Sequence, residues 1–427
     1  MLKSYLFLLL SFVVGSQVSA QVTLEKCISL AQENYPLIRK YNLLEQIKEI
    51  NLSDINKSWL PQINIYGQGT IQNKTPSFPK SLTNLIDQTN TNIIGLDKWQ
   101  YKIGADIKQN IWDGGLSKTQ RIIEHNENAK RQAAIDIQLY IIRERIEDLF
   151  FCILLMNEQI EQTQNIQILL LNNLNKLRAM QKNGTAMQSD VDIIEAQYLC
   201  TQQQLTQAEY SLKNYYKILE LFTGRKFIGQ KLVKPNASIP QDLIPHRPEL
   251  KHFDTQLQTN KAKNANIIAN TMPQIGLFAQ AYYGYPGFNN FENMMNHDLS
   301  FNILIGMKVS WNISAYYHKK NDKRKLRLAS DNIIVERDAF LFNTNLKAHS
   351  QLNHINELRA IMKENNRIIK LRENVRKAAE SQLDNGIIDA TSLLTKLTDE
   401  KQARLTASYH EIQLLQNIYQ LKYTLNK

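Results

Sequence analysis

The sequence predicts a mainly α-helical protein with a β-barrel portion, in which two tandem repeats each supply two transmembrane strands and a long coiled-coil helical hairpin. Three observations predict this fold class. The same short motifs occur twice along the 427 residues, two long stretches lack almost every helix breaker, and shorter segments alternate apolar with polar residues. A helix period and a strand period in each copy indicate that both kinds of element belong to one repeat.

The N-terminus indicates export. Lys3 is followed by an apolar run from Tyr5 to Val14, and small and polar residues then lead to Ala20. A charged start, an apolar core of about 10 residues and small residues before the cleavage point are typical of a secretory signal peptide. A membrane anchor needs roughly 20 apolar residues. Residues 1–20 are therefore predicted to be a signal peptide.

The composition narrows the choice of partners. The formal net charge is +11, which in an exported protein fits anionic lipid or acidic protein surfaces better than nucleic acid. The chain has three cysteines, which are Cys27, Cys152 and Cys200. Three are too few for a disulfide framework, and an odd number cannot all pair within the chain. Cys152 and Cys200 fall in helical patterns, and we expect them to be buried free thiols.

The chain contains two copies of one unit. Asn34-Tyr35-Pro36 parallels His246-Arg247-Pro248, and Leu60-Pro61-Gln62 parallels Met272-Pro273-Gln274. Each proline is separated from its counterpart by the same number of residues. The sequence divides into a first structural repeat over 21–224, a proline-rich connector over 225–245, and a second structural repeat over 246–427.

Each repeat contains a long segment with one breaker inside it. Prolines are absent between Pro79 and Pro235 and after Pro286. Gly184 and Gly386 are the lone glycines within these long segments. The segments are predicted to be helical hairpins over about 114–223 and about 313–426, turning at these two glycines. Apolar residues step by three and four along the arms, as a coiled-coil seam requires, for example Val191, Ile194, Tyr198, Thr201, Leu205 and Ala208.

Four segments alternate with a period of two and are predicted strands, over about 61–71, 99–112, 273–283 and 300–312. Pro61 and Pro273 mark the starts of the first and third strands. Each strand has one apolar face and the length of a tilted transmembrane strand. Four tryptophans gather at strand ends, as in an interfacial aromatic girdle: Trp59, Trp99, Trp112 and Trp311. A soluble sheet that covers a core shows the same alternation and remains the alternative.

These motifs, in this order and duplicated, resemble the TolC-type outer membrane efflux family from Val22 to the C-terminus. The resemblance implies a homotrimer whose copies share a twelve-stranded barrel in the cell outer membrane, with helices extending into the periplasm. It also implies docking to a periplasmic adaptor (a membrane fusion protein) and to an inner-membrane pump. Unpaired strand edges in lipid also require closure with further copies of the chain, whereas the choice of three copies over four rests on the resemblance.

The resemblance places a gate at the periplasmic tip of the hairpins, formed by Gly184, Asp190, Asp384, Gly386, Asp389 and Ser392. In the family an aspartate typically follows each turn glycine by six residues. Asp190 keeps this position in the first repeat, but Ser392 occupies it in the second. Asp384 and Asp389 flank Gly386 and could supply the acidic character. Ile388 stands where the family commonly has an arginine, so the usual adaptor contact is altered.

No phosphate-binding loop, paired-cysteine metal site or nucleophile elbow occurs in the sequence. We therefore expect no catalytic residues, no cofactor and no metal. The predicted function is that of an outer-membrane exit duct of a tripartite efflux system, which passively conducts small molecules. A type I protein secretion duct of the same fold and a soluble periplasmic coiled-coil scaffold are the alternatives.

Two further segments have expected roles. The connections from Asn73 to Asp97 and from Tyr285 to Asp298 are polar or turn-rich, and we expect them to be extracellular loops. The basic run from His318 to Arg327 directly follows the fourth strand. It either meets anionic head groups at the membrane surface or forms a solvated helix face.

Overall fold

A computed structural model describes residues 22–79, 95–227, 230 and 232–427 of the chain. The predicted signal peptide, residues 1–20, lies outside the described residues. The chain divides into two compact units. Among the described residues, the first unit contains 22–40, Ile135–Leu250 and Asp338–Lys427, and the second contains 41–79, 95–134 and Lys251–Arg337. We call them the helical unit and the sheet unit.

The sheet unit contains a four-stranded antiparallel sheet in the order β1-β2-β3-β4. Its strands are β1 (Gln62–Ile71), β2 (Trp99–Trp112), β3 (Gln274–Tyr285) and β4 (Ser300–Ser310). Pro61 and Pro273 stand one residue before β1 and β3, because a proline has no N–H to give to the ladder. The connections β1–β2 and β3–β4 leave the same end of the sheet, which we call the loop end. Residues 80–94 of the first connection lie outside the described part of the chain.

Each strand joins one helix at the opposite end of the sheet, which we call the helix end. The helices are α2 (Arg39–Lys57), α3 (Leu116–Lys182), α5 (Pro248–Ala269) and α7 (Ala315–Met362). Within the sheet unit they lie side by side in the order of their strands. Hydrogen bonds join α2 to α3, α3 to α5 and α5 to α7, namely Asn51–Glu124 at 2.9 Å, Lys263–Glu127 at 3.1 Å and Asn260–Ser330 at 3.2 Å.

The helical unit also contains α1 (Leu24–Asn34), α4 (Gln188–Thr223), α8 (Asn365–Asp384) and α9 (Ala390–Leu425). One core joins α1, α3, α4 and α9 around the fully buried Phe150 and Phe151. A second core surrounds the two glycine turns and includes Leu170, Ile194 and Leu393. The connector packs against α7 and α9 through Ile239 and Leu243. A short helix, α6 (Asn290–Met295), lies in the β3–β4 connection of the sheet unit.

The duplicated Asn-Tyr-Pro and His-Arg-Pro motifs make equivalent junctions in the helical unit. Asn34 Nδ2 donates to the carbonyl of Phe222 at 3.1 Å, near the C-terminus of α4. The backbone N–H of His246 donates to the carbonyl of Leu425 at 2.8 Å, at the C-terminus of α9. The residues that end these helices, Gly224 and Asn426, both adopt the left-handed conformation. Each repeat thus satisfies the last carbonyls of its own final helix with the motif that opens it.

Two sequence expectations differ from the structure. The second hairpin is interrupted at Lys363 and Glu364, where a turn separates α7 from α8 without glycine or proline. Cys200, expected to be a buried thiol, is exposed, whereas Cys152 is half-buried. The apolar seam of α4 explains the difference, because Thr201 is buried in that seam and Cys200 lies one residue away from it.

Candidate functional site

The apolar face of the sheet is largely uncovered within the chain. Ile65, Ala105, Ala281 and Ile303 lie opposite one another on successive strands of that face. Ile65 is 77% exposed and Ile305 is 74% exposed. Monomeric soluble proteins rarely expose a contiguous apolar surface of this extent, so this face requires an apolar neighbour.

The aromatic residues of the predicted girdle lie at both ends of the apolar face. Trp112 and Trp311 lie at the helix end, and the half-buried Trp59 lies three residues before the start of β1 at the same end. Trp99 lies at the loop end, where it pairs with Ile71. Trp311 Nε1 donates a hydrogen bond to the carbonyl of Thr271 at 3.1 Å. This arrangement, with an apolar band between two aromatic rows, is that of a surface in contact with lipid.

The opposite face of the sheet is polar and carries charged residues. Lys102, Asp106 and Lys108 lie on it. The Lys102 ammonium lies 5.2 Å from the ring centroid of Tyr282 and 5.9 Å from that of Tyr66, so two aromatic rings stabilise its charge. Lys308 lies on the same face of β4. These cations fit a water-filled lumen, because lipid would not solvate them.

The two glycine turns lie together in the helical unit. Gly184 has a φ of 74° and Gly386 a φ of 71°, a backbone conformation that favours glycine. Residues from both turns line one surface depression, including Met187, Asp190 and Asp389. Four of the six residues assigned to the tip line this depression: Gly184, Asp190, Gly386 and Asp389. Ser392 is bonded to Asp389, and Asp384 is the last residue of α8 and pairs with α3.

The three aspartates at the turns have different partners. Asp190 Oδ2 accepts a hydrogen bond from the backbone N–H of Met187 at 3.1 Å, at the start of α4. Asp389 is the N-cap of α9, and its Oδ1 accepts from the backbone N–H of Ser392 at 2.8 Å. Hydrogen bonds from the Ser392 hydroxyl and backbone lower the pKa of Asp389. Asp384 forms an ion pair with Lys176 of α3 at 3.1 Å.

The apolar residues at the turns point in different directions. Ile388 is half-buried against the second core, so the position where the family commonly has arginine serves packing here. Met187 is 73% exposed and Ile387 is 70% exposed. Each turn therefore presents one apolar side chain to the surroundings of the chain.

Sequence reasoning did not identify several residues of these surfaces. Lys176 pairs with Asp384 across 208 positions of the sequence, which no local pattern reveals. Tyr66 and Tyr282 were not recognised as partners of Lys102, although their period-two positions place them on its face. The exposure of Met187 and Ile387 depends on the geometry of the two turns. That geometry can be derived only when the residues at which the helices end are known.

Metal-binding clusters and membrane-spanning helices are both absent from the part of the chain that the structure describes. Over residues 22–79, 95–227, 230 and 232–427, no group of three or more His, Cys, Asp or Glu side chains is placed to hold a metal ion. Within the same ranges, no helix has the length and apolar character needed to cross a membrane.

The sheet has one apolar face and one polar face, and a long helix joins each of its four strands. The comparisons with known proteins specify the fold. No family model and no curated sequence matches this chain. Among solved structures, the outer membrane protein VceC of Vibrio cholerae is similar with a TM-score of 0.67 and 11% identity, over 94% of this chain and 95% of VceC.

Two further channels agree with this result. CusC, whose structures concern folding and transmembrane channel formation, has a TM-score of 0.68 and 13% identity, over 95% of this chain and 92% of its own. The outer membrane channel CmeC of Campylobacter jejuni has a TM-score of 0.66 and 13% identity, over 94% and 85% of the two chains. The chain has the TolC-type outer-membrane channel fold, and the predicted fold class is confirmed.

Proposed function

We propose that this protein is an exit duct of the cell outer membrane that passively conducts small molecules from the periplasm to the exterior. The observation that carries the proposal is the sheet itself. Its apolar face is exposed between two rows of aromatic residues, and its other face carries Lys102, Lys108 and Lys308. Lipid would cover the apolar face, and water would solvate the charged face. In this arrangement the helices extend into the periplasm.

The flanks of the sheet unit support a duct made from several copies of the chain. β1 and β4 are the edges of the sheet, and their outer backbone groups have no strand partner within the described chain. The flanking helices expose apolar stripes on the same two sides, with Leu43, Ile47 and Ile50 on α2 and Tyr317, Leu328 and Val335 on α7. A neighbouring copy would cover strand and helix together, so no edge would remain in lipid.

The space that the polar face needs excludes two copies, and the choice of three copies over four rests on the resemblance to the TolC-type family. Two copies would give eight strands, and a barrel of that size is filled by its own side chains. Three copies of a four-stranded sheet give twelve strands and leave a lumen for residues such as Lys102 and Lys308. We therefore propose a homotrimer with the twelve-stranded barrel.

The helix turns are the proposed periplasmic gate and docking end. Asp190 and Asp389 attract cations at the entrance, while Met187 and Ile387 offer apolar contacts to a partner. The partner is a periplasmic adaptor that connects the duct to an inner-membrane pump. Because Ile388 packs inward, this adaptor contact relies on apolar side chains rather than on an arginine at that position.

Two other functions are compatible with part of this structure. A type I protein secretion duct has the same fold and differs in the pump and the cargo. A soluble periplasmic scaffold is disfavoured by the exposed apolar face, which water solvates poorly. The role of a duct needs no catalytic residue and no cofactor, and we propose that the protein is not an enzyme.

The test is conductance of the purified, detergent-solubilised protein in a planar lipid bilayer. Stepwise current increases of uniform size are expected, each from one inserted duct. The same preparation after heat unfolding is the control. Binding of the protein to membranes without any current would contradict the duct.

A further inference from the structure

We propose that the start of α7 binds the anionic head groups of phospholipids in the membrane leaflet at the helix end of the sheet. The binding surface, which we call the basic strip, consists of Lys320, Lys323 and Arg327. This inference rests on the proposed function, because it requires the apolar face of the sheet to lie in a bilayer. It gives a role to the basic run that the duct does not otherwise use.

A cluster of contacts fixes the start of α7 against the lipid-facing side of the sheet. The ring of Tyr316 packs edge-on against Trp311, with centroids 6.3 Å apart. Lys319 Nζ lies 4.8 Å from the Tyr316 ring centroid and donates to Thr271 Oγ1 at 3.0 Å. Since Trp311 lies at the aromatic row, Tyr316 continues that row onto the helix.

The basic strip continues from Tyr316 along one face of α7. Lys320, Lys323 and Arg327 follow Tyr316 at the i+4, i+7 and i+11 positions, which share a helix face. The rise of 1.5 Å per residue places Lys320 roughly 6 Å beyond Tyr316 and Arg327 roughly 16 Å beyond it. Helical side chains tilt toward the N-terminus, so these long side chains reach back toward the sheet and the head groups.

The charges of the basic strip are not neutralised within the chain. Lys320, Lys323 and Arg327 make no hydrogen bond or ion pair among the residues that the structure describes. Their neighbours are engaged, since Lys325 pairs with Asp322 at 3.4 Å and Lys319 with Thr271. Three unpaired cations beside an aromatic row at the edge of an apolar surface complement a layer of lipid phosphates.

The experiment compares lipids bound to the purified protein by native mass spectrometry. The protein is incubated with equal amounts of phosphatidylglycerol, which is anionic, and phosphatidylethanolamine, which is zwitterionic. The test variant combines Lys320→Gln, Lys323→Gln and Arg327→Gln. The matched control combines Lys363→Gln, Arg367→Gln and Lys370→Gln, which removes the same charges from exposed positions in the helical unit. A third variant, with Lys320→Arg, Lys323→Arg and Arg327→Lys, keeps the charges.

The wild type, the control and the charge-keeping variant should prefer phosphatidylglycerol, and the test variant should lose about tenfold or more of that preference. Equal preferences in all variants, or equal losses in test and control, would overturn the proposal. Displacement of the lipid by inorganic phosphate, but not by sodium chloride of equal ionic strength, would also overturn it in favour of a free phosphate site. If the wild-type protein conducts ions but shows no lipid preference, only the proposal for the basic strip is wrong. If it binds phosphatidylglycerol preferentially but does not conduct, the proposed duct is wrong.

Discussion

Asp389 caps α9 through the backbone N–H of Ser392, with 2.8 Å between Oδ1 and N. In the first repeat, the carboxylate that interacts with the start of the helix lies three residues after the N-cap position. There Asp190 reaches back from the third position of α4 to the N–H of Met187, at 3.1 Å. Ser392 replaces the aspartate that the family typically has, but the second turn keeps a carboxylate at the start of its helix. The favourable interaction of a carboxylate with a helix N-terminus is therefore kept in both turns.

The cap predicts an unequal response to two substitutions of Asp389. Asp389→Ala removes the acceptor for the Ser392 N–H and should lower the unfolding temperature of the protein. Asp389→Asn keeps an acceptor oxygen and should lower it by only a fraction of that amount. Thermal unfolding of the detergent-solubilised variants measures the difference, and equal losses would show that the cap contributes nothing.

The proposed gate predicts a change in ion selectivity. The double variant Asp384→Asn, Asp389→Asn removes two of the carboxylates at the turns without removing the Asp389 cap, and the channel should become less cation-selective. Reversal potentials in a salt gradient across a planar bilayer measure this preference. If selectivity and conductance stay at the wild-type level, these two carboxylates do not form the gate.

The turn glycines predict a backbone cost. Gly184→Ala and Gly386→Ala should each destabilise the helical unit by about 1 kcal/mol, because an L-residue rarely adopts a positive φ. Neither position is crowded, so the cost comes from the backbone alone. Gly69→Ala is the matched control, since Gly69 also has open space around it but no positive φ. Equal unfolding temperatures for all three variants would exclude strain at the turns.

Glu147 predicts a dependence of stability on pH. Its side chain is 2% exposed, and Oε2 has no hydrogen-bond partner among the described residues. Burial raises the pKa of Glu147 to about 7, despite the ion pair with Arg143 at 2.8 Å. The folded state therefore holds a proton that the unfolded state releases near its ordinary value of 4.5. The stability from this proton is fully present below the unfolded pKa and is lost as the pH rises to about 7.

Between pH 5 and pH 8 the free energy of unfolding should fall by about 2–3 kcal/mol from this group, because most of the shift in pKa lies inside that window and each pKa unit corresponds to about 1.36 kcal/mol. Glu147→Gln should remove most of that fall, because the amide carries no charge at either pH. Glu161→Gln, at an exposed position of the same helix, should leave the fall in place. Chemical denaturation at the two pH values measures the free energy of unfolding of each variant. If Glu147→Gln shows the same fall as the wild type, the pH dependence belongs to another group.

Local periodicity explains how much of the fold the sequence predicts. The strands and the glycine turns were recognisable because their signals lie in neighbouring residues, such as Ile63 and Ile65 or the isolated Gly184. The sequence predicted that Asp190 and Asp389 lie at the turns, but it did not predict that both interact with the start of the following helix. Such a capping interaction depends on the residue at which the helix starts. The Lys176–Asp384 pair and the turn at Lys363 were missed, since one is a long-range contact and the other contains no breaker residue.

Closure of the sheet by further copies of the chain is the central feature of the proposed duct. The mass of the detergent-solubilised protein, measured by light scattering with the detergent contribution subtracted, tests this directly. Three chains per particle are expected, because more than two copies are needed to pair every edge of β1 and β4 around a lumen. The resemblance to the TolC-type family implies three copies rather than four. A stable particle of one or two chains would contradict the shared barrel and, with it, the proposed duct.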